Sequence, residues 1–546
     1  MLGLLLMEMR AYNAAMQREV EWQFDAEDAE HLEEVRAWLQ KRAGRSDFKL
    51  SEPLAQVFHD HYLDTQDWRL YRAGFALRVR EHDDGALEAT LKSLEAADEA
   101  LRVRREFREK LVRPKRASDL TALLAQSEGE VGQRVRAVIG PHALQLCFDL
   151  HTRREVFKLS MDGAAAEIAL DEVRFDARDK RDPAVFYRVE VEAAPSAADH
   201  ALEVLADFVS NLQDKCDLKP SRRSKFELGL RVHKLKPQAY APALGEPATI
   251  KAAGEDPDLG VLALAVLREH FATFLHFEPK ARLGEDAEGV HRMRVSTRRL
   301  RAALRLFRDV LPPNAQHFRE ELRWVADTLG AVRDLDVQLA RLEEWRAQEP
   351  KADLGTLKMQ LTRDREQARA RLLEAFDSAR FAQLVAEMTA WLRAPEGLAP
   401  LAQQPARGVM PALLMKRYAA VRALGDVLSQ DSPAEAYHAL RIQVKRLRYA
   451  LESCAHLYPE AAEAFVPRLI ALQDLLGDHH DAHVALAQLN ALAQAGDLPA
   501  ASRRTLEKLT RHYTRQISEA LEVFPETYQR IRGKAWVRVL REIDAS

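Results

Sequence analysis

Cysteine is scarce in this chain. Cys147, Cys216 and Cys454 are the only three in 546 residues, and they stand far apart with no CxxC pair. A disulfide framework or a zinc–thiolate site is therefore excluded as an organising element, and a reducing compartment fits. Long hydrophobic runs are missing too. The apolar stretch from Met1 to Met7 is too short to span a bilayer and has neither a basic leader nor a small-residue cleavage site. No other stretch reads as transmembrane, so the expectation is a cytoplasmic protein with no membrane partner. Residues 1–15, ahead of Met16, read as a tail or a start-site artefact. Neither sign of charge is in excess: 81 Lys and Arg face 84 Asp and Glu, a net −3. Attraction of the whole chain to nucleic acid is thereby disfavoured, and any affinity for anions must come from local fields.

Such a local field is present, twice. His291-Arg-Met-Arg294-Val-Ser-Thr-Arg298-Arg299-Leu-Arg301 returns 147 residues later as His438-Ala-Leu-Arg441-Ile-Gln-Val-Lys445-Arg446-Leu-Arg448. Leu329-Gly330-Ala-Val-Arg333-Asp334 returns at the same offset as Leu476-Gly477-Asp-His-His480-Asp481. Two matched pairs at one offset indicate a duplicated unit. At a helix's 100° per residue, His291, Arg294, Arg298, Arg301 and Arg305 fall within an arc of roughly 80°. Met293, Leu300, Leu304 and Phe307 lie opposite. In the second copy His438, Arg441, Lys445 and Arg448 share the first arc, and Leu440, Leu447, Leu451 and Cys454 the other. Each helix should bury one side and present a row of cations on the other. A solvated face paired with carboxylates is the ordinary alternative, but the duplication and the few carboxylates within each run favour a site for a linear polyanion. The runs interleave no exposed aromatics that could stack on bases, so nucleic acid is not expected as a partner. His479, His480 and His483 are not expected to form a metal site, because the first copy has Val332, Arg333 and Asp336 there.

The length exceeds what one core serves, and composition shifts near residue 235. Before it, segments alternate as half-buried strands; after it, Leu/Ala/Arg/Glu-rich helical patterns dominate. The expected division is a tail at 1–15, a first domain at 16–232, a proline-containing linker at 233–257 and a helical domain at 258–540. A second proline-rich break separates repeat halves at about 258–395 and 411–540.

In the strand-rich half, one face of nearly every strand carries both carboxylates and cations. Glu19, Glu21 and Gln23 oppose Val20, Trp22 and Phe24. Glu190 and Glu192 oppose Val189 and Val191. Arg78 with Arg80, Lys92, Arg104 and Arg154 occupy the same kind of face on other strands. Two structures fit: an open sheet with a solvated polar side, or a closed barrel whose polar side points inward. Glu-x-Glu on a strand places both carboxylates on one face about 7 Å apart. Two such pairs, with Asp171, would make an oxygen-rich site suited to Mg²⁺ or Mn²⁺. Surrounding cations would grip a phosphate chain.

Residues 17–230 resemble the CYTH domains, or triphosphate tunnel metalloenzymes. The resemblance rests on Glu19-Val-Glu21, Tyr62-Leu-Asp64-Thr65, Gly74-Phe-Ala-Leu-Arg78-Val-Arg80, Thr90-Leu-Lys92, Arg104-Arg-Glu106, Arg154, Ile168-Ala-Leu-Asp171, Glu190-Val-Glu192 and Ser224-Lys225. It implies an antiparallel eight-stranded tunnel with covering helices and hydrolysis of tripolyphosphate or a related short triphosphate. It also implies Glu19, Glu21, Glu190 and Glu192 as catalytic metal holders helped by Asp171. Arg78, Arg80, Lys92, Arg104, Arg154 and Lys225 would bind the phosphates. Residues 258–540 resemble the CHAD domain, which implies an all-α pseudo-twofold pair of helical bundles with a basic cleft for inorganic polyphosphate. Its cleft residues here would be His291, Arg294, Arg298, Arg301, Arg333, His438, Arg441, Lys445 and Arg448, with Arg417 a further candidate. The fold expectation is thus an α+β two-domain chain.

One position departs from the pattern. Gln23 stands where the tunnel family usually has lysine. Two functions are therefore expected as alternatives: a metal-dependent triphosphatase that also binds polyphosphate, or a polyphosphate-associated protein, located with polyphosphate granules, whose tunnel binds without turnover.

Overall fold

The computed structural model describes residues 18–43, 48–94, 99–112, 119–175, 183–195, 197–237, 244–348, 354–494 and 500–545. The expected N-terminal tail and Met16 lie outside the described residues, as does part of the expected linker. The chain divides near residue 238 into two compact units.

The first unit is built on β1 (Arg18–Ala26), β2 (Phe48–Leu50), β3 (Leu54–Thr65), β4 (Phe75–His82) and β5 (Leu87–Ser93). It continues with β6 (Leu101–Leu111), β7 (Leu144–Met161), β8 (Ala164–Phe175), β9 (Ala184–Ala193) and β10 (Lys219–Pro220). The antiparallel order β1-β6-β5-β4-β3-β7-β8-β9 returns to β1, since β9 pairs with β1 as well as with β8. Among the described residues, eight strands therefore close into a barrel, with β2 added beside β7 and β10 beside β1.

Closure decides the question that alternation left open. The apolar residues Trp22, Phe24, Ile168, Leu170, Val189 and Val191 face outward and are buried with helices α1 (Ala29–Arg42) and α5 (Asp199–Lys215). Val35 and Leu39 come from α1; Leu202, Leu205, Phe208, Val209 and Leu212 form the stripe of α5. The polar alternates must then point inward. Shorter helices α2 (Arg69–Ala73), α3 (Leu120–Gln126), α4 (Glu130–Ile139) and α6 (Lys225–Val232) complete the unit. A capping box starts α6: the Ser224 side chain accepts from the Glu227 N–H, and the Glu227 carboxylate accepts from the Ser224 N–H. That cap sets Lys225 in the first turn, aimed at the interior.

The second unit is helical: α7 (Leu259–Leu283), α8 (Ala287–Leu306), α9 (Ala315–Gln348), α10 (Gly355–Asp377), α11 (Ala379–Arg393), α12 (Ala406–Gly425), α13 (Ala434–Ser453), α14 (Pro459–Gln494), α15 (Ala500–Gln529) and α16 (Lys534–Ala545). The duplication is structural. Both α12 and α13 begin 147 residues after α7 and α8, and α13 also ends 147 residues after α8. Met293, Leu300, Leu304 and Phe307 are buried on the first basic helix, and Leu440, Leu447, Leu451 and Cys454 on the second, as the helical phase requires. Among the described residues α7 is long and apolar enough to cross a membrane by length and composition. Here it lies mostly buried in the helical core through Leu262, Val266, Phe271 and Phe274.

Candidate functional site

The tunnel encloses a cavity of about 360 Å³ lined by Glu19, Glu21, Gln23, Arg78, Arg80, Lys92, Arg104, Arg108, Arg154, Glu190, Glu192 and Lys225. Every expected phosphate-gripping cation is among them. The β1–β9 register sets Glu21 opposite Glu192 and Gln23 opposite Glu190, so the two Glu-x-Glu strands are neighbours.

The carboxylates divide into two groups. Glu19, Glu106 and Glu192 bring one oxygen each within 4.8 Å of the others. This all-oxygen set, assembled from three strands, fits a hard divalent cation. Lys92 Nζ lies 2.8 and 3.0 Å from the Glu19 oxygens and 3.1 Å from Glu106. Arg108 reaches Glu106 at 2.5 Å and Glu192 at 3.4 Å. Glu106 is desolvated, yet Lys92 and Arg108 hold its carboxyl down at about 2. Glu192 moves the other way: burial and the neighbouring Glu19 raise its pKa.

The second group lies apart from the first and is bound to other cations. Asp171 is fully buried, with Arg154 Nε and Nη2 at 2.7 and 2.6 Å and Lys225 Nζ at 2.5 Å. Glu190 bonds to Arg154 and lies 3.1 Å from Lys225. Glu190 is desolvated, but Lys225 and Arg154 hold its pKa well below the carboxylate range. Glu21 pairs with Arg104 and accepts from Gln23 Nε2 at 2.7 Å. Of the five expected metal holders, the structure thus gathers Glu19 and Glu192 with Glu106. Glu21, Asp171 and Glu190 stand apart from that set, paired with Arg104, Arg154 and Lys225, while the set itself is bridged by Lys92 and Arg108.

Three tunnel residues went unassigned in the sequence. Glu106 and Arg108 alternate with Arg104 on β6, and that pattern was the available signal. Asp60 gave none; it is buried and binds Arg80 Nε and Nη2 at 2.7 and 2.8 Å, which orients that guanidinium. Gln23 also has a distinctive setting. Its Nε2 spans Glu21 and, at 3.5 Å, Glu190, while its buried Oε1 has no hydrogen-bond partner.

In the helical unit, a cavity of about 660 Å³ is lined by His291, Arg294, Arg298, Arg333, His438, Arg441, Lys445 and His480. Arg298 and Lys445 also line an adjoining cavity of about 330 Å³ with Arg301, Arg305, Arg319, Arg417 and Arg446. Arg448 lies off both linings and pairs with Glu452 at 3.4 Å. The repeated Leu-Gly meets the same partner in each copy: a Cβ on Gly330 would sit 3.5 Å from Arg294 Nε, and one on Gly477 would sit 3.3 Å from Arg441 Nη2, so the arginine of each basic helix passes over the glycine of the next helix.

Few of these cations are neutralised. Arg294 reaches Asp334 at 3.4 Å. Among the described residues, Arg298, Arg301, Arg333, Arg441 and Lys445 form no ion pair with a carboxylate, and the buried Nε of Arg298, Arg301 and Arg441 has no hydrogen-bond partner. Burial, then Arg441 and Arg298, depress the Lys445 ammonium to about 7. Burial and nearby cations lower His291, His438 and His480 as well. Desolvated positive charge without counter-charge is what a polyanion site requires.

Comparison with known proteins agrees with this division. The CYTH domain model matches residues 17–221 and the CHAD domain model residues 265–490. An uncharacterized protein of Mycobacterium tuberculosis is 28% identical over 211 residues, 37% of this chain and 40% of that protein, so the chain spans less than half of this curated relative. Among solved structures, PptA from Streptomyces chartreusis is 23% identical, covering 50% of this chain and 99% of its own at a TM-score of 0.43. The CHAD domain from the plant Ricinus communis is 26% identical, covering 54% and 93% at 0.39. A Hippeastrum protein, described as a putative adenylyl cyclase with a dominant triphosphatase activity, is 18% identical, covering 39% and 95% at 0.31. The chain thus carries a CYTH domain over residues 17–221 followed by a CHAD domain over residues 265–490.

Proposed function

We propose that the tunnel hydrolyses inorganic tripolyphosphate or a related short triphosphate with Mg²⁺ or Mn²⁺, and that the helical unit binds inorganic polyphosphate. The observation that carries the reading is the segregation inside the tunnel. Three carboxylates form an oxygen set on one side, while Arg78, Arg80, Arg154 and Lys225 are held by Asp60, Asp171 and Glu190 on others. Glu19, Glu106 and Glu192 would hold the metal; when bound, it supplies Lewis-acid charge against phosphate oxygens. Fixed guanidinium groups need no reorganisation as charge builds on the departing phosphate. Asp60 and Asp171 keep Arg80 and Arg154 in place for that task, and the closed wall limits water.

The test is phosphate release from tripolyphosphate, with each metal and with chelator. Release should require the metal and should fall on the acid side. Glu192 must ionise to hold a cation, and burial with the neighbouring Glu19 moves that requirement upward from the ordinary glutamate value. Release unaffected by chelator would sink the reading.

A second reading is favoured by Gln23. Its amide bridges Glu21 and Glu190 where a lysine would add charge, so the tunnel would bind phosphate chains without turning them over.

For the helical unit, polyphosphate affinity should fall as pH rises. Free Lys445 loses its proton near 7, and a bound polyanion restores it. Proton uptake on binding means weaker binding at higher pH, by up to about tenfold per pH unit for each proton taken up. Titrations between pH 6 and 9 check this, and Lys445→Arg should flatten the slope. A pH-independent affinity would contradict the cleft assignment. The unit would then anchor the protein on polyphosphate granules only by some other surface.

A further inference from the structure

The outer wall of the tunnel carries a second, chemically different cluster. His59 and His61 alternate on β3 with Asp60, whose side chain points inward to Arg80, so both imidazoles face outward. Register places His59 opposite Glu81 on β4 and opposite His151 on β7, and His61 opposite Asp149. The His59 ring centroid lies 4.0 Å from that of His61 and 4.1 Å from that of His151. Potential ligand atoms of His59, His61 and Glu81 all fall within 4.8 Å of one another.

Second-layer geometry points the same way. Asp149 Oδ1 lies 2.5 Å from His61 Nδ1. A carboxylate there holds the proton on Nδ1 and leaves the lone pair on Nε2, the arrangement that orients an imidazole ligand. That Nε2 is buried, lacks a hydrogen-bond partner and lies 4.0 Å from Glu81 Oε2. The cluster is half-buried and open to ions: the His61, Asp149, Glu81 and His59 side chains are 13%, 25%, 30% and 34% exposed.

We infer that His59, His61 and Glu81 form a transition-metal site of the Zn²⁺ class on the outside of the tunnel, with Asp149 orienting His61 and His151 at the open position. Imidazole nitrogen selects such ions, whereas the all-oxygen set inside suits Mg²⁺ or Mn²⁺. The two sites therefore prefer different ions. The outer ion ties β3 to β4 directly behind the Asp60–Arg80 pair, clamping the strand pair that presents Arg80 to the cavity.

The experiment uses the full-length protein, Co²⁺ as an optical probe and excess Mg²⁺ to occupy the tunnel. One equivalent of Co²⁺ should give visible d–d absorption, and Zn²⁺ should bleach it. The band should vanish in His59→Ala with His61→Ala and survive Glu19→Gln with Glu192→Gln. Asp149→Asn should weaken Co²⁺ binding by about 10–100-fold. Glu81→Gln, nearly isosteric, covers the case in which the double histidine variant fails to fold; it should weaken binding by at least about tenfold. No visible band, or one kept in the Glu81→Gln and Asp149→Asn variants and lost in the tunnel variant, would overturn the assignment.

Discussion

Glu19→Gln combined with Glu192→Gln lowers metal-dependent phosphate release by about 1000-fold or more. Glutamine preserves the volume of both side chains and removes two of the three charges in the oxygen set of Glu19, Glu106 and Glu192. The remaining carboxylate, Glu106, is already bound to Lys92 at 3.1 Å and Arg108 at 2.5 Å. One carboxylate alone is too small a donor set to hold a divalent ion. The fold should tolerate the exchange, because Glu192 is disfavoured as an anion by burial and by Glu19. Calorimetric titration with Mn²⁺ should show the metal affinity lost in parallel with turnover. Polyphosphate binding by the helical unit should be unchanged. Intact turnover in this variant would mean that the metal is held elsewhere in the tunnel.

Arg298→Ala combined with Lys445→Ala weakens polyphosphate binding by about 100-fold or more. A hydrogen bond to a charged group contributes about 1.5–3 kcal/mol, and each 1.4 kcal/mol is a factor of ten. Both residues line the two adjoining basic cavities, so a chain passing between them meets both. Stability should move in the opposite direction. A lysine whose pKa falls from 10.5 to about 7 on folding costs stability below its unfolded value, and the full cost is reached below about 7. The double variant should therefore melt at a higher temperature near neutral pH while binding less. Loss of binding together with loss of stability would indicate damage to the bundle instead of removal of a ligand contact.

The helical half was the more legible in the sequence. Its signal is local: a 3.6-residue phase and a 147-residue offset, and both reappear in the bounds of α7, α8, α12 and α13. The protonation of the cleft was less so. Proximity to a polyanion argues for charged histidines, but His291, His438 and His480 sit among arginines and are pushed toward the neutral form until an anion arrives. Burial acts first, and the crowding arises within each repeat: His291 meets Arg333 of the next helix, and His480 meets His438 and Arg441 of the helix before it, contacts set by how neighbouring helices pack.

In the tunnel, alternation identified the polar faces but not their side of the wall. Only the β1–β9 pairing, between residues about 170 apart, turns them inward. The same non-local register sorts the carboxylates. Asp171 and Glu106 look alike as strand acids, yet one meets Arg154 and Lys225 while the other joins Glu19 and Glu192. Asp60 was silent because its meaning depends on Arg80 across the strand pair.

The most direct test compares phosphate release from tripolyphosphate by the unaltered protein and by Gln23→Lys, with Mg²⁺ and with Mn²⁺. Gln23 already donates to Glu21 at 2.7 Å and faces Glu190 at 3.5 Å, so the unaltered protein should release phosphate with metal and without the lysine. No release by the unaltered protein, with release gained by Gln23→Lys, would contradict it and leave the tunnel as a site that binds phosphate chains without cleaving them.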